Sequence, residues 1–390
     1  MPSTASPGVS PPFTRRLIAI DALRGLVMLL MLVDHVRETF YLHMQVSDPM
    51  DVATTAAGLF ITRSLAHLCA PVFVFLTGLS AALYYQKTNS RRQTAGFLLT
   101  RGLFLMLLEV TLVNFAWTFQ FPPQVIYLQV IWAIGLSMVV MSALLFVPRP
   151  VLLLLALVMI GGHNLLDGIH APAGSFWSVP WAILHDRGWI EISDNLRIRT
   201  SYPLIPWPGI MALGFCAGPW FSQSVNPQVR ITRLVRSGLA LLAVFLVVRI
   251  LNGYGEAPWH SGANAGETVM SFFNITKYPP SLAFCSLTLG IGLLLLALFE
   301  RFRQDPGLIS LACFGAAPMF FYLLHLYVLK VLYLGAVMIW GNNQGDVYGV
   351  DHLGRVWMMT VILTLLLLKP VQTFANFKSR RRDIRWLKYF

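Results

Sequence analysis

Of 390 residues, 56% are hydrophobic and only 12% charged, with a mean hydropathy of +0.65 and a formal net charge of +12. A water-soluble domain carries about a quarter charged residues to cover its surface, so this composition excludes one. The apolar runs are unbroken rather than alternating, which excludes a barrel and leaves an all-α, polytopic integral membrane protein.

At about 20 residues per crossing, ten spans are expected. They fall near 17–40, 63–85, 96–116, 125–147, 150–166, 204–222, 235–252, 281–299, 309–338 and 355–370. The first follows Arg15 and Arg16, contains Asp21 and Arg24, and shows no small-residue cleavage site, so it reads as a retained helix. The expected organisation is a disordered cytoplasmic N-terminus over 1–16, one transmembrane domain over 17–370 and a basic cytoplasmic tail over 371–390.

Basic residues alternate from loop to loop. One set holds Arg15 and Arg16, Lys87, Arg91 and Arg92, Arg149, Arg230 to Arg236, Arg301 and Arg303, and the tail. The other holds most of the acids, among them Glu38, Asp48, Asp51, Asp186, Glu191 and Glu256. The positive-inside rule places the basic set and both termini in the cytoplasm. The net charge is therefore a topology signal, and no nucleic-acid partner is expected. Cys69, Cys216, Cys285 and Cys313 stand singly in apolar runs, which argues against a disulfide framework or a cysteine metal site. Residues 163–203 and 253–280 form long outside loops of the kind that serve as binding elements. His163, Asp167 and His170 have a spacing that suits a metal ion, but the reading adopted is an ordinary loop cluster and no metal is expected.

Ionisable groups inside a span cost a few kcal/mol each, which makes each a functional candidate. The first span holds Asp21, Arg24, Asp34, His35 and Arg37. Asp21 and Arg24 are one turn apart and able to pair. Arg24 and His35 are eleven apart, hence on one face and about 16 Å apart along the axis. Arg63 and His67 enter the second span, and Glu109 and Asn114 lie toward the end of the third. Arg249 closes the seventh, Lys277 and Tyr278 precede Pro279-Pro280, and His325 sits in the ninth. These groups converge at one depth and predict a pocket. Each also has a plainer reading, as a core histidine, a structural ion pair or a cation snorkelling to the interface.

Ile20-Asp21-Ala22-Leu23-Arg24-Gly25, followed by an apolar run and Asp34-His35, resembles the first-helix signature of transmembrane acyltransferases. It is similar in particular to the catalytic-domain family of heparan-alpha-glucosaminide N-acetyltransferase and its bacterial relatives. Ala70 to Gly78, Pro203 to Gly214 and Lys277 to Ser281 also resemble that branch. The Arg24-to-His35 spacing and Tyr322-Leu323-Leu324-His325 are similar to the acyltransferase family three pattern.

The resemblance implies an enzyme of a bacterial inner membrane that takes an acyl group from cytoplasmic acetyl-CoA to a hydroxyl or amine of a saccharide-like acceptor outside. It implies His35 as base or transiently acylated nucleophile, with Asp34 either orienting it or, since adjacent side chains on a helix diverge by about 100°, facing a neighbouring span, and with His67 and His325 completing the catalytic set. Arg24, Asp21, Arg91, Arg92 and Arg101 would serve acetyl-CoA, and Arg37, Arg63, Lys277 and Tyr278 the acceptor. Acetyl-CoA is then a co-substrate, with no tightly bound cofactor, and the bilayer and a homodimer complete the expected partners. The family pattern departs at one point, placing its key histidine in the loop after the first helix. Here that loop offers His43. A transporter with a buried charged site is the alternative, and a scaffold held by polar residues a third; a tunnel connecting both faces past His35 favours the enzyme, and a central site with no route for a CoA headgroup favours transport.

Overall fold

The computed structural model describes residues 17–387 apart from 173, 382 and 385. The segment 1–16 and the end of the tail lie outside the described residues.

The first helix, α1 (Ile18–Phe40), is buried along most of its length. The next apolar stretch is two helices, α2 (Ala57–Ala66) and α3 (Cys69–Thr88), interrupted at His67 and Leu68. Ser90 accepts the Gln93 amide to cap α4 (Arg91–Leu108), which runs through a π turn at Glu109–Val113 into α5 (Asn114–Thr118). A strand, β1 (Val125–Leu128), precedes α6 (Val130–Leu144), and α7 (Arg149–Gly162) starts with proline in its first turn. The segment to residue 206 holds α8 (Ser178–Leu184) and the hairpin β2 (Trp189–Ser193) and β3 (Leu196–Thr200). In the sheet β3 pairs antiparallel with β2 and parallel with β1, giving the order β1-β3-β2.

Beyond it come α9 (Trp207–Ala217), α10 (Pro227–Leu251), α11 (Ala265–Phe273) and α12 (Leu282–Arg301). The last three are α13 (Pro306–Gly315), α14 (Pro318–Trp340) and α15 (Leu353–Arg380). Ser281, after Pro279-Pro280, caps α12, and Asp305 caps α13 ahead of Pro306 in its first turn, each through its side chain.

Seven helical units among the described residues are long and apolar enough to cross a membrane. They are 57–88, 91–118, 149–166, 227–251, 282–301, 318–340 and 353–380. With α1, whose charges interrupt its apolar character, and the shorter α6, α9 and α13, they place helix within each of the ten expected spans. Three expectations change. The span 125–147 opens as a strand, because Val125-Ile126-Tyr127-Leu128 pairs with β3. The span 309–338 is split, because Pro318 lacks an amide proton and crowds Ala317 out of the helical region. The boundary at 370 falls inside α15, which continues through Pro370 to Arg380.

The bundle is an apolar solid with an apolar exterior. Leu154, Leu157 and Val158 of α7, Val247 and Ile250 of α10, and Leu365 and Leu366 of α15 point outward. Surface of that kind belongs against lipid tails. Inside, small residues let backbones touch. A Cβ on Gly78 would strike the Met211 carbonyl and one on Gly214 the Phe75 carbonyl, so α3 and α9 cross at a reciprocal glycine contact. Gly25 and Gly315 play the same parts between α1 and α13. Gly218 meets Ala82 of α3 in the seam with α9. Arg230 of α10 pairs with Glu300 of α12 and also donates to the Trp220 carbonyl at 2.9 Å, tying three segments together.

Candidate active site

A cavity of about 270 Å³ runs beside α1. Met31, Phe73, Leu105, Ile134 and Met138 give it an apolar wall, and Asp34, His35 and Glu38 present polar atoms from α1. Arg101 of α4 lies on the wall with its Nε buried and unpartnered. At the rim are Tyr127, Arg187, Tyr202, Lys277 and Tyr278, all carried by the sheet and the long loops.

Neighbouring residues on a helix diverge by about 100°, so Asp34 and His35 serve different neighbours. Asp34 turns to α2. Its Oδ2 accepts from Arg63 Nη1 at 2.5 Å, and its Oδ1 accepts from Arg37 Nε at 3.0 Å, with Arg37 Nη2 2.9 Å away as an ion pair. Glu38 adds a second carboxylate, 3.3 Å from Arg37 and 3.9 Å from Arg63. Two guanidiniums thus face two carboxylates, and the group is neutral as a whole. Charges so deeply buried persist only when compensated in this way.

His35 turns instead to α14. Its Nδ1 lies 2.7 Å from His325 Nε2, and His325 Nδ1 lies 2.7 Å from the Phe321 carbonyl. A carbonyl only accepts, so His325 carries its proton on Nδ1 and offers a lone pair at Nε2. His35 must then donate from Nδ1, which leaves its Nε2 unprotonated. Trp117 and Tyr322 hold the ring edge-on, with centroids 5.2 and 6.0 Å away. The arrangement presents one basic nitrogen at a cavity wall, suited to general-base or nucleophilic chemistry.

The rim is fixed by polar contacts of the loops. Asn114 donates to the Val125 carbonyl and accepts the Tyr127 amide, both at 3.0 Å, and so pins β1 to the end of α4's helical unit. Tyr278 and Tyr202 share a hydroxyl contact at 3.2 Å, while Arg187 lies over the Tyr278 ring at 4.6 Å and Lys277 at 5.1 Å. Glu256 accepts the Thr276 amide at 3.0 Å and hydroxyl at 2.7 Å, and Ser281 bonds it as well. Burial pushes this carboxyl up from its ordinary value, partly offset by those donors. Asp48 accepts the Lys277 amide at 3.3 Å, and burial raises its carboxyl too. Arg249 is consumed by carbonyls, those of Phe272 and Ser271 at 2.8 Å.

Asp34, His35, Arg101, Lys277 and Tyr278 therefore meet at the cavity, with Arg37, Arg63 and His325 directly behind it. The other sequence candidates lie elsewhere. His67 is buried against Phe284, 5.2 Å between centroids, and is not among the described residues lining the cavity. Asp21 and Arg24 pair at 2.8 Å, and Arg24 also bonds Ser80 of α3, so both are held short of the lining. Arg91 and Arg92 begin α4, exposed, with Arg91 donating to the Phe146 carbonyl at 3.1 Å. His43 packs on Tyr41 in a 3-10 turn beside Gly349, away from the cavity. Glu38, Arg187, Tyr127 and Tyr202 were not anticipated. Arg187 shares its loop with Arg197 and Arg199, and nothing in the spacing singled it out from them.

A family model described as heparan-alpha-glucosaminide N-acetyltransferase, catalytic, matches residues 16–251. No curated protein matches the chain. The matched stretch runs from α1 to α10 and contains Asp34, His35, Arg63, Arg101 and Arg187, while Lys277, Tyr278 and His325 lie beyond it.

Proposed function

The chain belongs to the heparan-alpha-glucosaminide N-acetyltransferase catalytic family, and on that premise we propose that it moves an acetyl group from cytoplasmic acetyl-CoA to a hydroxyl or amine of a saccharide-type acceptor on the outer side of a bacterial cytoplasmic membrane. The observation that carries this reading is the 2.7 Å contact of His35 Nδ1 with His325 Nε2 at the cavity wall, which in a neutral His35 ring leaves Nε2 as the basic nitrogen. In this scheme His35 Nε2 takes the proton of the acceptor hydroxyl or ammonium-derived amine. The acceptor oxygen or nitrogen attacks the thioester carbonyl, the C–S bond breaks, and the departing CoA thiolate recovers the proton from the His35 imidazolium.

Arg101 on the cavity wall, its Nε buried and without a partner, marks the donor end. Arg187, Lys277, Tyr202 and Tyr278 mark the acceptor end, where aromatic faces and cations suit a sugar ring bearing negative charge. Asp34, Arg37 and Arg63 hold α1 against α2 so that His35 keeps its place. Residues 17–370 act as one transmembrane domain in this reading.

The test is acetyl-CoA binding and turnover by the full-length protein purified in detergent. Wild type is expected to bind in roughly the 1 μM–1 mM range typical of enzyme substrates. Slow thioester hydrolysis, lost in His35→Ala with binding retained, would accompany it. A well-folded protein that binds neither acetyl-CoA nor longer acyl-CoAs would overturn the proposal in favour of transport.

A further inference from the structure

Away from the cavity, the turns that follow α7 and α8 bring His163, Asp167 and His185 together, with ligand-type atoms all within 4.8 Å of one another. We propose that these three side chains hold a divalent transition-metal cation of the zinc type. This inference stands independently of the acyltransferase reading.

The donor set and its support both point that way. His163 is 3% exposed, and neither of its ring nitrogens makes a hydrogen bond of good geometry, although the Pro280 carbonyl lies nearby. A buried imidazole with two idle nitrogens is expensive unless something binds it. His185 is 1% exposed, with Nε2 3.4 Å from Asp167 Oδ1. Its Nδ1 lies 3.2 Å from Asp186 Oδ1, the carboxylate-behind-histidine arrangement that fixes the proton on Nδ1 and frees Nε2 for a metal. Asp186 is itself steadied by His170, 3.0 Å from its other oxygen. Asn164 donates to Asp167 Oδ2 at 2.9 Å, which turns Oδ1 toward the histidines.

Two imidazoles and one carboxylate suit Zn²⁺, whereas Mg²⁺ and Ca²⁺ prefer all-oxygen sets. The Asp167 side chain is 40% exposed, so a route from solvent and a fourth position for water both exist on that side. The competing contact is the 3.2 Å approach of His185 Nε2 to the His163 carbonyl, which the other tautomer would make. A bound cation would replace it.

The placement gives the cation work to do. His163 ends α7, and His185 closes α8 two residues before Arg187 of the cavity rim. Asn164 accepts the Leu282 amide at 2.9 Å, next to the Lys277–Ser281 segment. A metal here would staple the end of α7 to the Arg187 loop, with Asn164 carrying the link on to Leu282.

The experiment uses tag-free, full-length protein in detergent, stripped with a chelator and titrated with Zn²⁺, with Co²⁺ absorption reporting the ligand field. About one cation per chain is expected, together with a rise in melting temperature on metal addition. His163→Ala and Asp167→Asn should each weaken binding by about ten-fold or more, and His170→Ala, behind the ligands, by no more than that. Wild type that takes up no stoichiometric cation overturns the proposal. So does binding that persists unchanged in folded His163→Ala and Asp167→Asn proteins, since the cation would then sit elsewhere. His185→Ala is not relied upon, because that ring also fills the core of the loop.

Discussion

The Phe321 carbonyl decides which nitrogen of His35 is basic. It accepts from His325 Nδ1, His325 Nε2 therefore accepts from His35 Nδ1, and in the neutral ring the lone pair of His35 falls on Nε2. His325 is fully buried and does not line the cavity, so in the proposed chemistry it is a positioning residue. His325→Phe keeps the ring and removes the acceptor. The His35 Nδ1 proton is then buried without a partner, and the ring gains by exchanging tautomers or turning away. The expected result is a fall in kcat of about 10²–10⁴, the usual worth of a positioned base, with KM for acetyl-CoA nearly unchanged. His325→Gln retains an acceptor oxygen and should recover part of the loss. Equal losses in both variants, with KM rising, would mean that His325 only fills space.

At the level of elements, α1 is a rail gripped at both ends. Gly25 closes it on α13, and Asp34 closes it on Arg63 of α2 through a nearly dry ion pair. Removing one member of such a group costs about 3–5 kcal/mol, because the partner charges remain buried. Asp34→Asn is therefore expected to lower the melting temperature sharply. Asp34→Leu combined with Arg63→Met leaves Arg37 facing Glu38, and should melt closer to wild type than Asp34→Asn does. Thermal unfolding in detergent measures both, and a double variant less stable than Asp34→Asn would show that the ion pair is a net source of stability. Much of this level was legible. The charges of α1 stood out against its apolar run, and Pro318 carried the signal that breaks α13 from α14. The hairpin was legible too and was missed. Trp189-Ile190-Glu191-Ile192-Ser193 and Leu196-Arg197-Ile198-Arg199-Thr200 alternate around Asp194-Asn195. A reading guided by long apolar windows passes over a period of two in a loop.

For the whole molecule, the pairing that matters most was out of reach of spacing arguments. His35 and His325 are 290 residues apart, and helical periodicity places a residue on a face without saying which distant helix meets it. Asp34 shows the same limit, since helix geometry allowed it either to orient His35 or to face a neighbouring span, and only the structure names Arg63 of α2 as its partner. Depth, by contrast, follows from counting. Arg92 and Arg101 are nine residues apart on α4, about 14 Å, so the arginine on the cavity wall lies well inside the bilayer from the basic rim. Asp194, at the hairpin tip, is exposed in the acid-bearing loop on the opposite side in the proposed topology. If the basic loops are cytoplasmic, the Arg101 end of the cavity opens toward acetyl-CoA and the Arg187 end toward the outer acceptor. Single cysteines at these two sites test that orientation, in a chain whose partly exposed Cys216 and Cys313 are first replaced by serine. A membrane-impermeant maleimide is expected to label Asp194→Cys in intact spheroplasts and Arg92→Cys only after permeabilisation. The reverse pattern would put the donor end outside the cell, where no acyl-CoA is supplied, and would end the proposed direction of transfer even if His35 proved catalytic.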